Sequence, residues 1–328
     1  MAVATGTYTP YEQKGGREDL EDAIYNIDPK DTPFMSNIKR GSAKITFFEW
    51  QTDELRAADT SNAQLDGDDL TTFTESDPTT RVGNYTQISR ESVSLSGTAM
   101  AIDLAGRKSE LAYQLAKRSA ELKTDLEAIY LCNQGASAGS RSAARKTASL
   151  QAWIKTNSLS AGNSYSVSAA DSNAPVYTNI ATDPRTDGSQ TTFTEAMVAD
   201  GMTRAYNNGA KPEFLMVGAF NKRKFSSFQG IATKTFYQSA VEESATIGSS
   251  DVYVSDFGII VVVPNRFQRA RDAFILDPEY LATIYLRPFT TEPLAKTGDS
   301  EKRLLIVEHG LKVHNEKAQV GIYDLTTS

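Results

Sequence analysis

An α+β fold is predicted for this chain of 328 residues, on three observations. Leucine and isoleucine recur at helical spacing from Asp103 to about Asn133, in a run that no proline interrupts. Two β-branched and aromatic runs, 44–55 and 81–97, flank a long polar span. After residue 250 the chain closes on at least four strand-like runs. No fixed period recurs, which excludes solenoids and propellers.

Apolar residues make up 40% and charged residues 23%, enough for a substantial core in one elaborate domain or two. The single cysteine, Cys132, excludes an intrachain disulfide framework. The start, MAVATGTYTP, lacks a basic segment followed by an apolar run, so no secretory signal is expected. No stretch approaches the roughly 20 apolar residues of a membrane span. The net charge of -7 is concentrated in one place. Residues 45–100 hold ten acids, three arginines and no lysine, an imbalance equal to that of the whole chain. Such a segment is either a solvated face or a flap that lies on a basic surface.

Taken in order, residues 1–16 are small, polar and glycine-bearing, as in a flexible arm. REDLEDAIYNI then puts Leu20, Ile24 and Ile27 on one helical face before Asp28-Pro29 ends the turn. A helix this short needs a surface to lie on. DPKDTPFMSNI (28–38) is a rigid corner, because each proline fixes its own φ and restricts its predecessor. KITFFEWQTDEL and RVGNYTQISRESVSLSG read as two strands of an extended hairpin with a long polar tip. It has little apolar surface to fold onto a private core.

The helix from Asp103, its expected cap, to about Asn133 would make a rod of roughly 45 Å, with Gly135 beyond its end. Residues 134–190 form a loop-rich insertion around the amphipathic piece SLQAWIKTN. Thr192 and Glu195 suggest a capping box for a helix whose face is Met197, Val198, Met202 and Ala205, stopped at Asn208-Gly209. EFLMVGA is then a strand and FNKRKFSSF a short helix. DVYVSDF, GIIVVVP, RDAFILD, YLATIYLRPFTTEPLA, RLLIVEHG and LKVHNEKAQVGIYDL complete the strands. GIIVVVP, short and β-branched, is expected to be buried.

Signals for catalysis are poor. GASAG (135–139) matches a nucleophile elbow by letters only, since Ser137 follows a helix where a buried strand is required. His309 and His314 lie in a strand-rich region without ligand spacing, and read as structural. LDGDD resembles the start of a calcium loop, but the later ligands are out of register. No phosphate-binding glycine loop is present, and the basic clusters are too short for sequence-specific nucleic-acid binding. No metal and no cofactor are expected.

DLEDAIYNIDPKDTPFMSNIKRGSAKITFFEWQTDEL resembles the N-terminal signature of a family of major head proteins of tailed bacteriophages. The matching positions are Pro29, Asp31, Thr32, Pro33, Phe34, Glu49 and Trp50, and EFLMVGAFNKRKFSSF and the closing strands resemble later parts of that family. The resemblance implies a Hong Kong 97-type capsid fold: an N-terminal arm (1–44), an extended loop (45–98) and a peripheral domain with a spine helix and insertion (99–190). An axial domain (191–250) and strands returning from the axial to the peripheral domain (251–328) would follow. It implies a virion shell protein, assembled in the host cytoplasm into hexamers and pentamers around double-stranded DNA that is enclosed rather than read. Portal and separate scaffold or decoration proteins would be partners, and membranes would not.

With the corner beginning at residue 28, no long scaffolding segment is expected before it, and a lysine-free loop argues against crosslinking through a loop lysine. Contacts between copies are expected at Pro33, Phe34, Met35 and Trp50, and between Asp66, Asp68 and Asp69 of one loop and a neighbour's Arg141, Arg145 and Lys146. The alternatives are an encapsulin-like nanocompartment shell, which gene neighbours would distinguish, and a hydrolase using Ser137.

Overall fold

The structure, a computed structural model, describes residues 30–64, 66–67, 69, 73, 78–102, 109–160, 171–228 and 252–328. Residues 1–29, with most of the expected arm and the helix REDLEDAIYNI, lie outside the described residues, as do Asp68 and Asp103.

The corner forms helix α1 (Pro33–Asn37) and leads into strand β1 (Lys39–Ser42). The expected hairpin is present as β2 (Phe47–Thr52) paired antiparallel with β3 (Thr80–Tyr85), from Phe47 opposite Tyr85 to Thr52 opposite Thr80. Its base does fold onto the chain's own core, contrary to the reading of the sequence. Phe48 and Trp50 point inward and are buried, because alternate residues of a strand face opposite ways. At Thr86 the second run changes partner. β4 (Gln87–Ser96) leaves β2 and joins a four-stranded sheet instead.

Helix α2 (Gly97–Ala101) follows, and then α3 (Glu110–Leu131), whose 22 residues span about 33 Å. The expected start at Asp103 is corrected. Ser109, in an extended conformation, caps α3 by accepting from the Ala112 N–H. Only the second half of α3 is embedded, through Leu122, Leu126, Tyr130 and Leu131. The region 134–190, read as a loop-rich insertion around SLQAWIKTN, contributes to the core. Helix α4 (Leu150–Trp153) is buried on every side, and β5 (Ser158–Ser160) adds an edge strand to a second sheet.

Helix α5 (Glu195–Asn207) begins at Thr194, so Thr192 and Glu195 do not make the expected capping box. Asn208 caps its C-terminus, and Gly209 takes the positive φ of 76° that ends such helices. Strand β6 (Phe214–Val217) and helix α6 (Ala219–Ser226) match the sequence reading. The remaining strands are β7 (Val252–Ser255), β8 (Gly258–Pro264), β9 (Ala273–Leu276), β10 (Leu281–Pro293), β11 (Ser300–Val313) and β12 (Val320–Tyr323). RLLIVEHG and LKV are one continuous strand, because Gly310 does not break it. That position has no room for a side chain, since a Cβ there would meet the Phe48 ring at 2.6 Å.

Besides the β2–β3 pair, two larger sheets organise the described residues. One has the order β1-β10-β11-β4, with α3 lying across β4 and β11. The other has the order β5-β12-β9-β6-β8-β7 and draws strands from both sides of residues 191–250. The second sheet stands between two cores, which explains why β6 is buried on both faces. Phe214 and Met216 join the core shared with the corner, α3 and the first sheet, while Leu215 and Val217 face α5 and α6.

Candidate assembly surfaces

The corner is anchored from a distance. The first N–H groups of a helix have no partner within it, and Thr32 supplies no side-chain cap. Glu127 of α3 takes that role with both oxygens. The Phe34 N–H donates to Oε1 at 2.7 Å and the Met35 N–H to Oε2 at 2.9 Å. Asn265, after β8, donates its side-chain amide to the same Oε1 at 2.7 Å. Burial raises the Glu127 carboxyl above its ordinary pKa, and the donors from Met35, Phe34 and Asn265 pull it back in part.

This anchor decides which corner residues can touch a neighbour. Phe34 is 0% exposed, with its ring edge-on to Tyr130. Trp50 is 8% exposed, packed between Phe48 and Trp153. Both are covered by their own chain and leave little surface for another. Pro33, at the first position of α1, and Met35 remain half-buried.

The span joining β2 to β3 is the opposite case. Every described residue from 53 to 81 is exposed, including Leu55 at 99% and Phe73 at 80%. Asp66 and Asp69 are exposed there. Ion pairs join Glu49 to Arg81 and Glu54 to Lys317 at its base. In the basic cluster, Arg141 and Lys146 are exposed. Arg145 differs, because it donates to Glu308 at 2.6 Å and to the Thr86 carbonyl at 3.2 Å within its own chain. Arg141 and Arg145 rim an open cavity of about 450 Å3 beside the exposed Ile88.

A further surface was hidden in GIIVVVP, which is buried on one face only. Val252 pairs with Val261 and Val254 with Ile259, so the four side chains share one face of the sheet. All are exposed, Ile259 at 63%, whereas Tyr253, Ile260 and Val262 on the other face are buried against α5 and α6. Val261 also pairs with Phe214, whose side of the sheet is covered by the first core. That cover stops at β6, and the sheet continues past it. The alternation was legible in the sequence, but a run of five apolar residues masks which of them face outward.

Among the described residues, the candidates for chemistry do not form a site. Ser137 forms a backbone bridge with Lys146, and its hydroxyl accepts from the Gly139 N–H rather than facing a histidine. His309 joins Ser89 at 3.0 Å and Tyr130 at 2.8 Å in a buried chain. Burial lowers its pKa to about 3, which keeps it neutral and structural. Among the described residues no cluster of histidine, cysteine or carboxylates could hold a metal ion.

Comparison with solved structures identifies the fold. The chain resembles a subunit of the cyanophage A-1(L) capsid asymmetric unit with a TM-score of 0.64 at 11% identity, covering 98% of this chain and 99% of that one. A Gordonia phage Cozz chain gives 0.59 at 11% identity, covering 99% and 98%. The encapsulin of Synechococcus elongatus gives 0.54 at 8% identity, covering 96% and 94%, so the fold alone does not separate head shells from nanocompartments. It is the Hong Kong 97-like capsid fold, with the mixed α+β content expected from sequence. The major capsid protein of Escherichia phage Phieco32 is 28% identical over 339 residues, covering 95% of both chains. The model of the SU10 major capsid protein family matches residues 3–326, and the chain therefore belongs to that family, whose members form the shell of the phage head.

Proposed function

We propose that this capsid protein, a structural protein of the virion and not an enzyme, joins its neighbours through two surfaces that its own fold leaves uncovered. The carrying observation is the loop 53–81, every described residue of which is exposed. Described residues that bury nothing at home gain packing contacts only by lying on another copy. The loop acids Asp66, Asp68 and Asp69 would meet the neighbour's Arg141 and Lys146, with Arg145 contributing at the rim of the cavity beside Ile88. The apolar face of Val252, Val254, Ile259 and Val261 would seat against a second copy, since four exposed β-branched side chains on one sheet face mark an interaction surface in a self-assembling protein.

In this layout β2, β3 and the span between them are the extended loop, and α3 is the spine of a peripheral domain. The six-stranded sheet with α5 and α6 is the axial domain. Hexamers and pentamers of the chain would enclose double-stranded DNA without reading it, with a portal and separate scaffold or decoration proteins as partners.

Two experiments test the contacts. The triple change of Asp66, Asp68 and Asp69 to asparagine should lower shell yield and the salt concentration that shells withstand, scored by sedimentation and electron microscopy. Unchanged yield and salt tolerance would remove the loop from the interface. Val254→Lys combined with Ile259→Lys should abolish shells while leaving the stability of the unassembled chain within about 0.5 kcal/mol, because exposed positions tolerate such changes. Normal shells from that variant would show that the face is not an interface.

A further inference from the structure

A groove of about 530 Å3 opens between the corner, α3 and β10. An irregularity in β10 shapes it. Strand β1 ends opposite Tyr285, so beyond that point this edge of β10 is unpaired among the described residues. The register with β11 slips on both sides of Arg287, and Pro288, which has no N–H to offer a ladder, falls within the second slip. Such slips re-aim side chains, and here Tyr285, Pro288 and Phe289 line the groove. Met35 and Phe289 are packed on the core beneath, which fixes the floor.

The walls carry one sign of charge. Arg40 of β1 and Lys123 of α3 are exposed along the groove, and neither forms an ion pair among the described residues. Successive strand residues face opposite ways, so Arg40 lies on this side of the first sheet and Lys39 on the other. Thr32, Tyr285 and Ser119, one helical turn before Lys123, add hydroxyls. Burial raises the pKa of the Tyr285 hydroxyl, and the charge of Arg40 beside it opposes that rise. No carboxylate lines the groove among the described residues. Two cations joined by hydroxyls, with no acid between them, are the donor set that receives phosphate oxygens.

We propose that this groove contacts the sugar-phosphate backbone of the enclosed double-stranded DNA, and that the α3 side of the first sheet faces the interior of the shell. In a head shell, the reading on which this contact rests, enclosed DNA is the phosphate-bearing polymer that the inner wall meets. The net charge of -7 repels DNA as a whole, so the attraction is confined to this local groove. It is also weak and blind to sequence. Two cations displace about two counterions, which gives log affinity a slope of about -1.8 against log salt.

Lysine reactivity tests the contact in assembled heads. Filled heads and heads emptied of DNA are treated with an amine-acetylating reagent, and each lysine is scored by mass spectrometry. Lys123 should lose reactivity in filled heads, whereas Lys39, on the opposite side of the sheet, should react equally in both. Equal reactivity of Lys123 in the two would overturn the contact and leave the shell reading intact. Failure of the chain to form heads would remove the shell reading and this contact with it. As a second measurement, the affinity of the unassembled chain for a short DNA duplex is followed by fluorescence anisotropy. Between about 50 and 200 mM salt, wild type should lose about 12-fold more affinity than the double variant Arg40→Gln with Lys123→Gln. Both positions are exposed, so the double variant should keep its fold, which its melting temperature checks. Equal losses, or no binding by wild type, would overturn the proposal. Inorganic phosphate should displace the duplex no better than chloride at the same ionic strength. Stronger displacement would make the groove a free-ion site and overturn the assignment to DNA.

Discussion

Replacing Glu127 of α3 with alanine is expected to destabilise the unassembled chain by about 3–5 kcal/mol, because the corner loses its acceptor. Three donors converge on that carboxylate: the N–H groups of Phe34 and Met35 and the Asn265 side-chain amide. The Phe34 and Asn265 contacts are fully buried, so water cannot replace the lost acceptor there without opening the core. The truncation also leaves a cavity beside Phe34. Glu127→Gln should fall between wild type and alanine, because its amide keeps one acceptor and turns a donor towards another donor. Urea denaturation of the unassembled variants measures both. A loss below about 1 kcal/mol for the alanine variant would mean that the corner is held by Phe34 packing alone.

The second large effect is a dependence on pH carried by Asp272. This aspartate is buried, neither carboxylate oxygen has a hydrogen-bond partner, and its nearest cation is Arg269 at 3.6 Å. Burial raises its pKa to about 7, and the attraction of Arg269 offsets the shift only in part. Asp187 raises it further, while Arg185 and Arg271 oppose the shift. Asp324, in the same cluster, behaves in the opposite way. Burial pushes it up as well, but Arg185, the Gly188 N–H and the Ser160 hydroxyl hold it below the usual range.

For Asp272 the folded state holds its proton more tightly than the unfolded state, whose carboxyl titrates near 3.8. Its stabilising share is therefore complete below pH 3.8 and is lost as the pH rises through about 7. The loss amounts to about 4 kcal/mol by pH 8. Asp272→Asn, which carries no charge, should gain on wild type by about that amount between pH 4 and pH 8 in denaturant melts. Parallel pH profiles for the two proteins would refute the assignment.

Much of the fold was legible in the residues themselves. The strand around Phe48 and Trp50, helix α5 and strand β6 follow from local periodicity and from β-branched or helix-forming composition. The long helix was legible at its C-terminal half, where Leu122, Leu126 and Tyr130 are buried, and not at its start, where Asp103 and Ser109 are both plausible caps. The capping box at Thr192 failed because the N-cap falls two residues later, at Thr194, with Phe193 between them buried in the second core. The candidate site was less legible. Asp66 and Asp69 lie exposed, as an acidic polar run implies, but nothing local shows that Arg145 is held by Glu308 or that Phe34 is covered by its own chain.

From its sequence alone this protein is an α+β chain with a proline corner, an acidic and unsupported loop, one long helix and a strand-rich end. Those features depend on the order of side chains along a few turns or a few strand residues, and that order is complete before folding. Only the tertiary structure decided which apolar residues are left uncovered. Glu127 meets Phe34 across 93 residues, and Val261 lies exposed beside a buried Phe214 because the covering core ends one strand earlier. Exposure is set by what packs over a residue from elsewhere in the chain, and no local pattern carries that information.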